Sequence, residues 1–269
     1  MSSLPEPLSE QAIRAALCRA ALVREVVYLP SVSSTNDVAH RLAEHGAPNA
    51  SLIVADDQVA GRGRLSRAWY MAPRSAIAMS LVVRPQLEAA RAQRLTLLAG
   101  LAAAEGIEQV TGLPAQLKWP NDVVMPNAER GWLKMGGILT ETSIAGSQVE
   151  YAVIGIGLNI NVRFDDQPHL AETATSVMQQ LGHEVDRLSV LAAVVERFAF
   201  RYDWLGAGDA LRAAWSARLA TLGRRVEARL TDTVLFGLAE AVDADGALLL
   251  RADDGRLHRL LAADVIVLR

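Results

Sequence analysis

Lys118-Trp119-Pro120-Asn121-Asp122 and Lys134-Met135-Gly136-Gly137 place two lysines, an asparagine and an aspartate beside glycines. A lysine ammonium is a compact charge that meets phosphate or carboxylate oxygens. Upstream, Gly61-Arg62-Gly63-Arg64-Leu65-Ser66-Arg67 adds three guanidinium forks, which match carboxylate and phosphate geometry. Its two glycines let the backbone turn sharply and approach a ligand closely. By itself that loop is equally well a solvated basic turn. Together the three segments point to an enzyme that couples a carboxylate to ATP.

Each residue has a plainer alternative. Asp122 can give magnesium an oxygen ligand or cap backbone N–H groups in an ordinary turn. Pro120 fixes its own φ and bars strand pairing through its nitrogen, which sets the direction of Asn121 and Asp122. Lys134 can neutralise a carboxylate attacking the α-phosphate, or be a surface lysine. Gly155-Ile156-Gly157-Leu158-Asn159 lacks the third glycine and the following helix of a dinucleotide fingerprint; its Asn159 can instead line a nucleotide pocket. Trp69 can stack on a base or sit in the core. Ser34, Thr35 and Asn36 can bond a small polar head group or cap a helix. Zinc-ligand spacing and a Gly-x-Ser-x-Gly elbow are both missing from the sequence.

The elements that must position these residues follow from periodicity and turn chemistry. Helices are expected at Glu10–Arg24 behind an N-cap at Ser9, at Asp37–Glu44, at Arg91–Val110 and at Leu188–Trp204. Strands are expected at Val26–Leu29, Ser51–Ala55, Ala76–Arg84 and Ala115–Trp119, with Trp132–Thr142 and Val149–Gly157 as a pair. The pattern changes near Leu222. Five short strands follow, at 225–230, 235–242, 247–251, 256–261 and 265–268. Asp245-Gly246 and Asp254-Gly255 between them are tight-hairpin signals. The organisation is therefore one large domain, 1–221, and a small β domain, 222–269.

Bulk properties bound the function. The chain has 269 residues, 51% of them hydrophobic, yet charges at 21% interrupt every apolar run. No run reaches the length of a membrane span, and Met1–Glu10 lacks the build of a secretory signal. Cys18 is the sole cysteine, so no internal disulfide exists and a reducing cytoplasm is expected. A net charge of −3 argues against a dedicated nucleic-acid binder.

The ordered set Ser34-Thr35-Asn36, Gln58, Gly61-Arg62-Gly63-Arg64, Arg67 with Trp69, Lys118-Trp119-Pro120-Asn121-Asp122, Lys134-Met135-Gly136-Gly137 and Gly155-Ile156-Gly157-Leu158-Asn159 resembles the biotin protein ligase family, the biotin–[acetyl-CoA-carboxylase] ligases. The likeness runs from Val26 to Arg269. It implies an α/β (α+β) fold: a mixed sheet with helices on one side, of the class II aminoacyl-tRNA-synthetase type, then a small SH3-like barrel. It implies a reaction in which biotin and Mg-ATP give biotinyl-5′-AMP, and a lysine of a biotin carboxyl carrier protein then takes the biotin. Ser34, Thr35, Asn36 and Gln58 would meet the biotin head, and Arg62, Gly63 and Arg64 would close over biotin and the adenylate phosphate. Arg67 and Trp69 would stand beside the nucleotide, Trp69 near the adenine, with Asn159 in the same pocket. Lys118, Asn121 and Asp122 would serve ATP and magnesium, and Lys134 the reacting carboxyl and α-phosphate oxygens. Sheet-edge pairing into a homodimer is expected by the same analogy.

Two departures stand out. Ser66 occupies a position where the family's loop commonly has another glycine. The 33 residues before Ser34 are too few for the DNA-binding domain that some members carry, so an enzyme-only type without a DNA partner is expected. Rival readings are a lipoate–protein ligase, a biotin-sensing regulator and a non-catalytic adenylate-binding module.

Overall fold

A computed structural model describes residues 7–268 except 19 and 21, and all of their side chains but that of Ser66. Residues 1–6, which begin the stretch expected to lack a secretory signal, and the terminal Arg269 lie outside the described residues. The helices are α1 (Glu10–Ala16), α2 (Thr35–Glu44), α3 (Gln93–Thr111), α4 (Pro168–Ala171), α5 (Val177–Leu181), α6 (Arg187–Arg201) and α7 (Gly208–Ser216). The strands are β1 (Glu25–Leu29), β2 (Ser51–Ala55), β3 (Ala76–Val83), β4 (Gln116–Lys118), β5 (Asp122–Asn127), β6 (Gly131–Ala145), β7 (Gln148–Asn159), β8 (Arg225–Arg229), β9 (Val234–Val242), β10 (Leu248–Ala252), β11 (Leu257–Leu260) and β12 (Asp264–Val267).

Seven strands form a mixed sheet in the order β1-β2-β3-β7-β6-β5-β4. Only β1 and β2 are parallel; the other neighbours are antiparallel. Alternation along the strands sorts side chains to two faces. Leu52, Val54, Ile77, Met79 and Leu81 join α3 and α6 in the main core. Gly106 lets α3 and α6 pack closely, since a Cβ there would fall 2.6 Å from Val194 Cγ2. Ile53, Val82 and Val153 point the other way and pack on α2 through Ala39 and Ala43. Helices therefore lie on both faces, which corrects the one-sided expectation. On its face α2 packs chiefly on β2, β3 and β7, and its first turn reaches the functional cleft.

Residues 225–267 fold as a five-stranded antiparallel sheet, ordered β11-β10-β9-β8-β12, the expected small SH3-like β unit. Both Asp-Gly turns form hairpins, with Gly246 at φ 88 and Gly255 at φ 84. The small unit is bound to the large sheet at β4. Leu117 pairs with the chain at Arg218 and Ala220, Trp119 N donates to Thr221 Oγ1 at 3.0 Å, and Trp119 Nε1 donates to Gly246 O at 3.0 Å. Arg94 of α3 adds an ion pair to Asp245 at 3.0 Å.

Three local expectations fail. The first helix ends at Ala16 rather than Arg24, with Leu17 as its C-cap; part of the remainder lies outside the described residues. Ser9 does cap it, accepting from Ala12 N at 3.2 Å. Thr35 and Asn36 lie in the first turn of α2 rather than in the preceding loop. Asp122 is not the end of a free turn but the first residue of β5, a strand masked in the sequence by Pro126. Among the described residues no helix is long and apolar enough to cross a membrane.

Candidate functional site

One end of the cleft is built around the start of α2. Ser34, Thr35 and Asn36 are each only 3% exposed. Ser34 is the N-cap residue but makes no capping bond through its side chain. Gln58 takes over part of that work: its Oε1 accepts from Thr35 N at 2.8 Å and from Thr35 Oγ1 at 3.1 Å. Ser80 Oγ lies 2.8 Å from Thr35 Oγ1 and 2.7 Å from Asn36 Oδ1, and its single proton serves one of them at a time. Asn36 Nδ2 donates to Glu141 Oε2 at 2.7 Å. The result is a preorganised cluster of hydroxyl and amide groups on the open face of the sheet.

The floor is made by glycines. Residues 155, 157 and 159 of β7 share a face by strand alternation. Asn36 lies directly on Gly155, where a Cβ would meet its Oδ1. Trp69 lies across Gly157, where a Cβ would come within 2.8 Å of Cε2 and 3.1 Å of Nε1. Gly137 stands opposite Gly157 on β6, and a Cβ there would be 3.4 Å from Lys134 Nζ. The Gly155/Gly157 pair thus seats two side chains, and the polar cluster, the Trp69 indole and the lysine end follow one another along the sheet. Asn159, 4% exposed, ends the row and donates to Thr175 O at 3.1 Å.

The Gly61–Arg67 loop arches over this floor. Neither glycine in it takes positive φ; the left-handed residue is Leu65, at φ 54. Gly61 is needed for close approach, because a Cβ would lie 2.8 Å from Trp69 O. Gly63 N to Arg67 O at 2.7 Å and Trp69 N to Gly61 O at 2.8 Å close the loop on itself. The three arginines diverge. Arg62 pairs with Glu141 and Asp37, Arg64 donates to Asn121 Oδ1 at 3.2 Å, and Arg67 pairs with Asp264 of the small β unit. Burial lowers the Arg64 pKa, with the Arg67 charge adding and Asp122 and Asp264 opposing; an arginine stays charged regardless.

At the far end, Lys118 and Asp122 face each other across the first register pair of β4 and β5, joined through a cis Trp119–Pro120 bond. Asn121 fixes the turn twice: its O accepts from Ile138 N at 2.9 Å and its Nδ2 donates to Ile138 O at 2.8 Å. Lys134 Nζ lies 2.6 Å from Asp122 Oδ1 and 5.9 Å from the Trp69 ring centre. Lys118 Nζ lies 5.8 Å from the Trp132 ring centre. Burial pushes the Lys118 pKa down, Asp122 opposes and Lys134 adds to the lowering. Three cations and one carboxylate in a partly desolvated corner favour a multiply charged anion.

Every residue expected at the site from sequence lines a single cavity of about 720 Å³, within the usual range for small-molecule sites. Several others were missed. Ser80 and Glu141 sit mid-strand with no motif around them. Asp264 and Val265 reach the cavity from the small unit, Arg130 from the β5–β6 turn and Trp132 from the start of β6. No local sequence signal marks any of these. Among the described residues no group of three His, Cys, Asp or Glu side chains could hold a metal ion.

A family profile described as the biotin/lipoate A/B protein ligase family matches residues 28–159, and one described as the biotin protein ligase C terminal domain matches residues 221–268. A bifunctional ligase/repressor BirA of Bacillus spizizenii is 36% identical over 264 residues, covering 97% of this chain and 79% of that protein. A biotin–[acetyl-CoA-carboxylase] ligase of Paracoccus denitrificans is 37% identical over 236 residues, covering 85% and 95%. Among solved structures, the biotin protein ligase from Aquifex aeolicus in complex with biotin and ATP superposes with a TM-score of 0.75 at 26% identity, covering 91% of this chain and 99% of that one.

Proposed function

The chain belongs to the biotin protein ligase family, and from that premise we propose how its residues divide the ligase reaction between them. The enzyme activates biotin with ATP and joins it to protein. In the first step a biotin carboxylate oxygen attacks the α-phosphorus and pyrophosphate leaves, giving biotinyl-5′-AMP. In the second, a lysine amine of the acceptor attacks the acyl carbon and AMP leaves. The acceptor is a biotin carboxyl carrier protein. Residues 1–221 are the catalytic unit and 222–269 the small β domain.

The observation that carries this division is the order of groups along the cleft floor. The hydroxyl and amide cluster of Ser34, Thr35, Asn36 and Gln58 binds the polar biotin head. Trp69, lying between that cluster and Lys134, walls the apolar middle of the ligand and the junction with the nucleotide, rather than stacking on the adenine alone. Lys134 exchanges its Asp122 contact for the carboxylate and α-phosphate oxygens, so its charge acts where negative charge builds up. Lys118 and Arg64 take the remaining phosphate charge, and Asn121 holds Arg64 in place. Arg67 and Asn159 border the nucleotide. The loop shields the acyl-adenylate from water until the acceptor arrives.

Magnesium fits this site only as a companion of ATP. Asp122 offers one hard carboxylate of the kind magnesium prefers, and no three-ligand protein cage stands beside it among the described residues. When bound, the ion would neutralise phosphate charge.

Mass spectrometry of a carrier domain incubated with this protein, biotin and Mg-ATP tests the reading. One biotin on one lysine, dependent on ATP, is expected. Transfer of lipoate in place of biotin would overturn it.

A further inference from the structure

The side chain of Arg62, at the cavity wall, is held by two acids of the protein itself. Its Nη1 and Nη2 lie 3.1 Å from Glu141 Oε1 and Oε2, and Nη2 lies 2.7 Å from Asp37 Oδ1. A substrate carboxylate or phosphate at this guanidinium would face both acids. The fork is therefore occupied by a bidentate partner on β6 and a second acid on α2. Glu141 has a further task, because its Oε2 also accepts from Asn36 Nδ2 at 2.7 Å. His40 Nε2 stands 3.4 Å from the same oxygen. Charge-assisted bonds of this kind are about twice as strong as neutral ones and fix geometry.

We propose that Glu141 is a positioning residue which joins the biotin-head cluster to the loop, and that Arg62, clamped by Glu141 and Asp37, is the anchor that keeps the loop closed over the acyl-adenylate. Arg62 thus contributes its backbone to the lid and its side chain to the latch. The electrostatics agree with the geometry. Burial would by itself lower the Arg62 pKa and raise that of Glu141, yet Glu141 and Asp37 leave Arg62 raised, and the Asn36 bond followed by the Arg62 contacts leaves Glu141 lowered. The two arms of Glu141 are separable. Asn36 carries the effect on biotin, and Arg62 carries the effect on the lid. Asp37 touches only the second arm among the bonds seen at the site. This inference rests on the ligase reading given above.

The test compares Glu141→Gln and Asp37→Asn with wild type in two measurements. One follows free biotinyl-AMP leaving the enzyme and the KM for biotin. The other follows amide hydrogen exchange in residues 61–69. Glu141→Gln is expected to raise intermediate release and biotin KM about tenfold each, equivalent to about 1.4 kcal/mol. Asp37→Asn is expected to raise release by a similar factor with biotin KM within about twofold, because Asn36 keeps its acceptor. Both variants should exchange faster at 61–69 and not in β7. A merely structural role would lower all rates together and loosen β6 and β7 as well, and that pattern overturns the proposal. Unchanged exchange and unchanged release overturn it too. If wild type itself makes no adenylate from biotin and ATP, the ligase reading fails instead. The hydrogen-exchange comparison then still decides whether the Arg62 clamp holds the loop.

Discussion

Replacing Gly155 by alanine isolates the seat of Asn36. The new methyl would fall on Asn36 Oδ1, 3.0 Å from Cγ and 3.2 Å from Nδ2. It enters from a central strand of the sheet, so the asparagine must move. Moving it breaks the 2.7 Å bond from Ser80 and the 2.7 Å bond to Glu141. A neutral buried hydrogen bond is worth about 1 kcal/mol and one to a charged group about 1.5–3 kcal/mol, so the loss is about 2.5–4 kcal/mol. For a chain of this size that lowers Tm by roughly 5–15 °C. Biotin affinity, measured by calorimetry, should fall at least about tenfold, the factor given by about 1.4 kcal/mol. The informative control is Gly155→Ala with Asn36→Ala. The methyl then has room, so the pair should be less damaging than the sum of its parts by more than about 0.5 kcal/mol. Strict additivity, or a Gly155→Ala enzyme with native stability and biotin affinity, would refute the idea that the glycine exists to seat Asn36.

Four further outcomes follow from the site and core. Lys118 has its pKa lowered by burial, so raising pH through that value should discharge it and weaken ATP binding. The same pH rise should stabilise the fold, because the unfolded lysine still binds a proton there; Lys118→Met should remove both trends in pH-dependent ATP titrations and urea melts. Lys134→Ala should slow biotin-dependent pyrophosphate exchange about 10²–10³-fold, whereas Arg64→Ala should release biotinyl-AMP and biotinylate proteins unselectively; tight retention by the Arg64 variant would contradict its place in the lid. Asp56 pairs with Arg187 at 2.7 Å, with both side chains under 5% exposed, and also accepts from Leu8 N and Tyr28 Oη. Asp56→Ala should therefore cost about 3–5 kcal/mol in denaturant unfolding.

Much of this arrangement was legible because it is local. The Asp-Gly pairs gave both small-domain hairpins, and Gly61–Arg67 with Lys118–Asp122 marked the cleft from residue type and spacing. What escaped notice is what the fold alone creates. Glu141 stands 105 residues from Asn36, and Thr140-Glu141-Thr142 is an unremarkable stretch of strand. Asp264 reaches the loop from the other end of the chain. Of the two properties expected of Gly61, free turning and close approach, the fold uses the second, and Gly155 and Gly157 likewise matter for missing side-chain volume. The free turn after Lys118 failed because Pro126 hid a strand whose Val123, Val124 and Met125 are buried.

Trp119 carries a lesson for anyone wishing to divide this enzyme. Its predecessor, Lys118, lines the cleft, while its own indole is tied to Gly246. The composition changes near Leu222, which makes that point look like a natural seam. A cut there would leave a large apolar ring and its indole N–H without the Gly246 carbonyl, one residue from Lys118. Split reporters or circular permutants are better opened at Asp253–Arg256, an exposed turn. The seam in the sequence and the seam in the object are in different places.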